Sequence, residues 1–445
     1  MSAARHHRRL AAASAAVVLA LTASACTGSS GGASDDPNAK TTITFWHGWS
    51  APSEIKAIDE NIKAFEKKHS NITVKAVSNI TDDKINQALR AGGPKAPDVV
   101  SSFTTDNVGE FCTSGAFVDL SPFMKKSGID PEQTFPSAQL DYTQFEGNQC
   151  SLPLLSDAYG LYYNKKMFAA AGISAPPKTL SEFDADAVKL TKSSGDSYSQ
   201  LGFMPDYHGY ESTITHFASQ FDATYFDDNG KSTVADDPGL KAAYVWQKGL
   251  VDKLGGYRKL EKYRTTFGDE FGDKNPFMTG QVAMAIDGEW RGGMIDASSS
   301  PVDYGVAPFP VPDDHAAEYG KGYTSGTIVG IAHTSQKQNA AWEFVKFLTT
   351  DTDAVVSFSN AIHNVPSTKA ALASDKVDPN PAFQTFLKIA QNPHSSTTPA
   401  SPNGGAYQLT LQNVGYAYES GKNTDLSGAL EKAAKQIDTD VAQAQ

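Results

Sequence analysis

"TTITFWHGWSAPSEIKAIDENIKAFEKKHSNITVKAV", residues 41–77, carries two periods in succession. The first six residues alternate, as a strand does. Ile55, Ile58, Ile62 and Phe65 then recur at three- and four-residue steps, giving one apolar helix face, with Glu54 near its positive N-terminal end. "NITVKAV" returns to alternation. Further on, "DDKINQALRAG" (82–92) reads as a short helix stopping at Gly92 and Gly93, and "PDVVSSF" (97–103) as a continuous apolar strand of the kind buried between helix layers. Strand, helix, strand, helix, strand opens a doubly wound α/β lobe.

In open α/β sheets, ligands sit beyond the carboxyl ends of the strands. "WHGWS" (46–50) lies past the first strand and "TTDN" (104–107) past the third, so both are expected to line one crevice. Trp46 and Trp49 can offer rings there, with packing as the alternative for each. Asp106 can accept hydrogen bonds from a ligand, or cap a helix beginning near Asn107. Asp98 reads as a strand-start residue.

The rest of the chain bounds the setting. At 445 residues, 40% hydrophobic and 20% charged, it exceeds one ordinary domain and suggests two compact lobes. The formal charge is −12, and residues 1–25 hold Arg5, Arg8 and Arg9 with no acids, so the remainder carries −15. A surface that acidic excludes nucleic acid as a partner, since nothing would draw it to phosphate.

Residues 1–25 read as an export signal: "RHHRRL" is positive, "LAAASAAVVLALTA" apolar, and "ASAC" a small-residue cleavage site ending on Cys26. A cysteine in that place resembles a bacterial lipobox, in which Cys26 is lipidated, although Ala23 replaces the usual leucine. An ordinary signal peptide is the alternative, and Arg8-Arg9 leaves open twin-arginine or general export. Residues 26–40, small, polar and rich in Gly and Ser, read as a flexible tether. Later segments lack the length and apolarity of a membrane span, so the body is expected to be soluble and anchored to the outer face of the cytoplasmic membrane. Outside the cytoplasm, the remaining pair Cys112 and Cys150 reads as a disulfide, with two free buried thiols as the alternative. Metal-ligand spacing of Cys or His is missing, and no cofactor or metal is expected.

Six motifs then follow in order: the Trp-bearing first strand, "PDVV", "LPLLSDAYGLYYNKKMF" (152–168), "PFMTGQVAMAIDGEW" (276–290), "DYGVAPFP" (303–310) and "NAAWEFVKFLTT" (339–350). Their order and spacing resemble the extracellular solute-binding proteins of bacterial carbohydrate ABC transporters, the maltose-binding type, over nearly the whole mature chain. The resemblance implies an α/β two-lobe clamp of the type II periplasmic-binding-protein kind, whose chain crosses between lobes three times. Those crossings are expected near 154–156, 305–308 and 360–364. Lobe one is then 41–154 with 308–360, and lobe two 155–307 with 361–445, including late helices bearing Leu409, Leu430 and Ile437. The clamp is expected to close on a ligand and shift a pre-existing population. The implied partners are a carbohydrate and the membrane permease, the chain itself being a monomer.

A pyranose presents hydroxyls at its edges and C–H groups on its faces. Trp46 and Trp290, one per lobe, are the expected stacking platforms, and Asp106 and Asp157 the expected edge acceptors, because one carboxylate can take bonds from two adjacent hydroxyls. Family-like positions add His47 and Tyr323, and the "DGEW" turn adds Asp287 and Glu289. Asp157 has hinge capping as its alternative, and His47 a structural hydrogen bond. Tyr207, His208 and Tyr210 can form the lobe-two wall or a surface hairpin. Aromatic abundance favours a di- or oligosaccharide. A secreted glycoside hydrolase is the alternative, since Asp287 and Glu289 are spaced to share one face of a strand as an acid/base pair. A metal-capture protein is weaker still, because His47, His69, His208, His216 and His363 are scattered.

Overall fold

The opening periods become β1 (Thr41–Trp46), α1 (Pro52–Lys68), β2 (Ile72–Val77), α2 (Asp82–Ala91) and β3 (Val99–Ser102). The computed structural model describes residues 39–50, 52–93, 96–205 and 211–444; residues 1–38, where the signal segment is expected and Cys26 falls, and Tyr207, His208 and Tyr210 lie outside the described residues. β1 pairs in parallel with both β2 and β3, and α1 turns Ala57, Ile58, Ile62 and Phe65 into the core beside them. β9 (Thr324–Ile331) then lies antiparallel against β3.

One strand joins this sheet to the next. β4 (Ser151–Asn164) is 14 residues long: Ser151–Ala158 pair with β9, Tyr159–Tyr163 with β7 (Val282–Gly288), and Leu161–Asn164 with β8 (Tyr304–Ala307) on the other side. β6 (Ser197–Phe203) runs parallel to β7, and β5 (Lys192–Ser194) edges it. The strand order is β2-β1-β3-β9-β4-β7-β6-β5, with β8 and β10 (Val365–Pro366) alongside β4. Separate apolar cores form on the two halves, one around Ile43, Phe45, Phe65, Phe344 and Val345, the other around Leu161, Phe183, Phe203, Met284 and Phe309.

The first passage between halves is the handover from β9 to β7 at Ala158–Tyr159, just beyond the expected 154–156. The third follows the helix ending at Ile362, through His363 in the left-handed region (φ 56°) and Asn364, into β10, which pairs with Leu155–Ser156. The second differs from expectation. Residues 308–322 stay with the second half: the Phe309 ring lies 5.2 Å from Phe183, and Leu180 N donates to Val311 O at 2.9 Å. The chain crosses only at Tyr323–Thr324, because the strand it joins, β9, begins there. Leu409 is also placed differently: it is 61% exposed, while Leu411, Leu430 and Ile437 fill a third core between the C-terminal helices and Tyr244.

Cys112, on α3 (Asn107–Thr113), is bridged to Cys150 ahead of β4. Closing a loop across 38 positions stabilises by about 4 kcal/mol on the chain-entropy model. Above α3 passes the segment 396–405, which leaves the second half at a bridge between Ser396 and Tyr323. Ser401 sits so close that a Cβ on Gly109 would lie 2.0 Å from its carbonyl oxygen; only glycine admits this approach. Among the described residues no helix is long and apolar enough to cross a membrane.

Candidate ligand cleft

On β1, Ile43 and Phe45 face the core, so a period of two carries His47 inward and Trp46 to the opposite face. His47 is 1% exposed, its ring 5.2 Å from Phe45 and 5.7 Å from Trp49. Burial pulls its pKa down to about 4, against the opposing charge of Asp59. His47 therefore packs under the cleft floor, which corrects its expected place at the ligand. Trp49 packs too, edge-on to Phe103 and Phe358. Trp46 remains half-buried, and Phe103, beyond β3, is exposed.

The second half supplies an aromatic wall. Tyr159, His216 and Tyr323 form a triangle, with centroids 4.4 Å apart for Tyr159–His216, 5.3 Å for Tyr159–Tyr323 and 4.2 Å for His216–Tyr323. All three are buried, and Tyr323 shares a hydrogen bond with Thr398. Tyr323 thus supports the wall from behind. Trp290 stands against it, half-buried and edge-to-face with Tyr159 at 5.6 Å. The "DGEW" turn makes this possible: a Cβ on Gly288 would fall 2.2 Å from the Trp290 ring, so glycine lets the indole fold back over the strand end.

Asp106 reaches across the cleft. Its carboxylate accepts from Gln408 Nε2 at 2.7 Å, and Gly405 abuts it. Burial pushes its pKa up to about 6, eased by the Gln408 bond. It makes no side-chain cap to α3, so the capping alternative does not hold.

The three passages meet at a carboxyl pair. Glu289 accepts from Ala158 N at 3.0 Å, Val365 N at 3.3 Å and Asn364 Nδ2 at 2.8 Å, while Asn364 Nδ2 also donates to Asp157 at 2.7 Å. Glu289 is 2% exposed, so it fastens the hinge and is not open to a ligand, a correction to its expected role. Asp157 keeps part of its surface open although it lies deep between the lobes. Burial pushes its pKa up to about 7, opposed by hydrogen bonds that include Asn364, and burial followed by the Asp157 charge holds Glu289 well above the carboxylate range. Two adjacent buried acids without a cation share a proton. Asp287 is likewise withdrawn: Arg291 Nε bonds it at 2.6 Å, Gly288 N at 2.9 Å, and both side chains are buried. The pair spaced like an acid and base is thus divided between an ion pair and a hinge.

These shifts set a pH profile. A carboxyl whose folded pKa is raised stabilises the fold below its ordinary pKa and loses that contribution as pH rises through the folded value, here toward about 7 for Asp157 and 6 for Asp106. His47 and His216, lowered by burial to about 4, act oppositely, costing stability as pH falls from 6.5 toward 4. The two effects oppose each other between about pH 4 and 6.5, and the loss from Asp157 continues alone to about 7. Asp157→Asn should flatten the decline between about pH 4 and 7; a decline as steep as in the parent protein would locate the proton elsewhere.

Several residues here were not singled out from the sequence: Tyr159, Gln408, Asn364 and Glu211, whose carboxylate lies 3.9 Å from His216 Nδ1, while His216 was named only among the scattered histidines. Tyr159 had a signal, being two residues from Asp157 on one strand. Glu211 and His216 lie in a segment notable for its rings. Gln408 and Asn364 carried none, since their partners are 302 and 207 residues away.

Elsewhere, Asp222, His315 and Glu318 bring ligating atoms within 4.8 Å of one another. The fully buried ammonium of Lys321 already bonds Asp222 and Glu318 at 2.5 Å each, filling that group with the chain's own cation.

Two lobes joined by three passages, with a polar and aromatic cleft between them, define a type II solute-binding clamp. The chain belongs to the bacterial extracellular solute-binding protein family, matched over residues 51–355. It is similar to the maltotriose-binding protein of Pyrococcus abyssi, at 22% identity over 89% of this chain and 81% of that protein. It is also similar to the sn-glycerol-3-phosphate-binding periplasmic protein UgpB of Brucella abortus, at 25% identity over 92% and 94%. Among solved structures, CpMnBP1 with mannobiose bound superposes with a TM-score of 0.74, at 25% identity over 89% of this chain and 100% of that one.

Proposed function

We propose that this protein is the exported, lipid-anchored capture subunit of a bacterial ABC transporter, a monomer that closes on a di- or oligosaccharide and hands it to the membrane permease. The observation that carries the reading is Trp290, a half-buried ring braced edge-on by Tyr159, which lies two residues along the same strand from the partly exposed Asp157. A ring face and a carboxylate edge are what a pyranose requires. Trp46 and Asp106 face the cleft from the first lobe. The names of the maltotriose-binding and mannobiose-bound relatives support the saccharide class. Cys26 carries the lipid and residues 26–40 the tether, with 41–158 and 324–362 as lobe one and 159–323 and 363–445 as lobe two. The protein works by binding and release, Asp287 and Glu289 being occupied within the fold.

Thermal shift of the purified protein against neutral mono- and oligosaccharides tests this, because a ligand bound only by the folded state raises the melting temperature. A rise with an oligosaccharide is expected, together with release of a Cys26→Ser variant from the membrane fraction. If amino acids, peptides or metal ions raised it and no saccharide did, the reading would fail.

A further inference from the structure

The segments that converge on the cleft, residues 46–50, 102–107, 156–159, 211–216, 287–290, 323–325 and 396–408, contain no lysine or arginine. They bring Asp106, Asp157 and Glu211, each partly open, around the Tyr159–Tyr323 wall. Arg291, just past the "DGEW" turn, is 1% exposed and bonded to Asp287 at 2.6 Å. Lys321 is fully buried between Asp222 and Glu318. Neither can reach a solute.

Resting on the saccharide reading above, we infer that the cleft sorts solutes by charge, admitting uncharged or amine-bearing saccharides and rejecting phosphorylated or carboxylated ones. A phosphate entering between closing lobes gives up its water and meets carboxylate oxygens instead of donors such as an arginine fork. Like charges brought together in a desolvated site oppose binding strongly. Burial has already raised Asp106, Asp157 and Glu211 above the ordinary carboxylate range, and for Glu211 the charges of Asp287, Glu270 and Asp157 add to it, with Arg291 easing it. Once the pH exceeds the values of Asp106 and Asp157 those groups are ionised, and a second anion then adds to their charge. The chain thus parts from the charge class in the name of its glycerol-phosphate-binding relative while matching it along 94% of that protein's length.

The test is calorimetric titration of the whole protein with a panel of neutral oligosaccharides, sn-glycerol 3-phosphate, sugar phosphates and uronate-containing disaccharides. Each anionic compound is expected to bind at least about a hundredfold more weakly than the tightest neutral one, the scale of a like-charge contact across an interface. At about pH 8, above the folded values of Asp106 and Asp157, Asp106→Asn should narrow the gap. An anionic solute binding within tenfold of the best neutral saccharide would overturn the charge rule and leave solute capture intact. So would a gap unchanged in Asp106→Asn at that pH, which would trace rejection to shape. A panel in which no saccharide of any charge binds would overturn the saccharide reading, and this inference with it.

Discussion

Trp290→Ala is expected to weaken saccharide binding by about thirtyfold or more, the effect of removing a central aromatic anchor worth ~2 kcal/mol. The magnitude follows from the ring's position. Trp290 is half-buried at the cleft, Gly288 clears the space it folds into, and Tyr159 holds it edge-on. A core tryptophan would instead be enclosed on all sides and cost stability first. Titration with the best-binding oligosaccharide, alongside urea unfolding, separates the two. Trp290→Phe should keep part of the affinity, since it preserves a smaller face. Unchanged affinity in Trp290→Ala would assign the indole to packing against Tyr159.

The largest effect on stability is expected at Arg291. Its guanidinium is 1% exposed and carries the hydrogen bond to Asp287, itself buried at the end of β7. Arg291→Met removes one partner and strands a carboxylate in the interior, which costs about 3–5 kcal/mol. Replacing both, as Asp287→Asn with Arg291→Met, should recover much of that loss, because no charge is then left unpaired. Urea midpoints at constant slope would measure it. A double variant no more stable than the single one would show that Arg291 contributes through its packing against Phe271 and Met294 rather than through its charge.

How far the molecule was legible in its sequence depended on how far each signal reached. The strand and helix periods of residues 41–103 are local, and the parallel β2-β1-β3 set follows from them. The inward face of His47 was also legible, since Ile43 and Phe45 fix the alternation two and four residues earlier. Its aromatic neighbours drew attention to chemistry over period. The second passage was harder. "PFPVPDD" (308–314) looks like a connection, and only the contacts of Phe309 and Val311 with residues about 130 positions earlier keep it in the second lobe. The roles of Asp287 and Glu289 turned on where β7 ends. Gly288 closes the strand, so the two carboxyls part, one toward Arg291 four residues on and one toward Asn364. No spacing rule within the "DGEW" turn contains that outcome.

β4 has a mechanical consequence. A clamp whose lobes were linked only by loops could lose one lobe while keeping the other. Here Ser151–Asn164 is one continuous strand that pairs with β9 and the short β10 in one half and with β7 and β8 in the other. Fraying either sheet to its middle therefore undoes a ladder on which its neighbour depends, and the two cores should melt as a single cooperative unit. The same continuity makes opening of the cleft a change of twist along one ribbon, so the lobes can rotate about Ala158–Tyr159 while their distance at that point stays fixed.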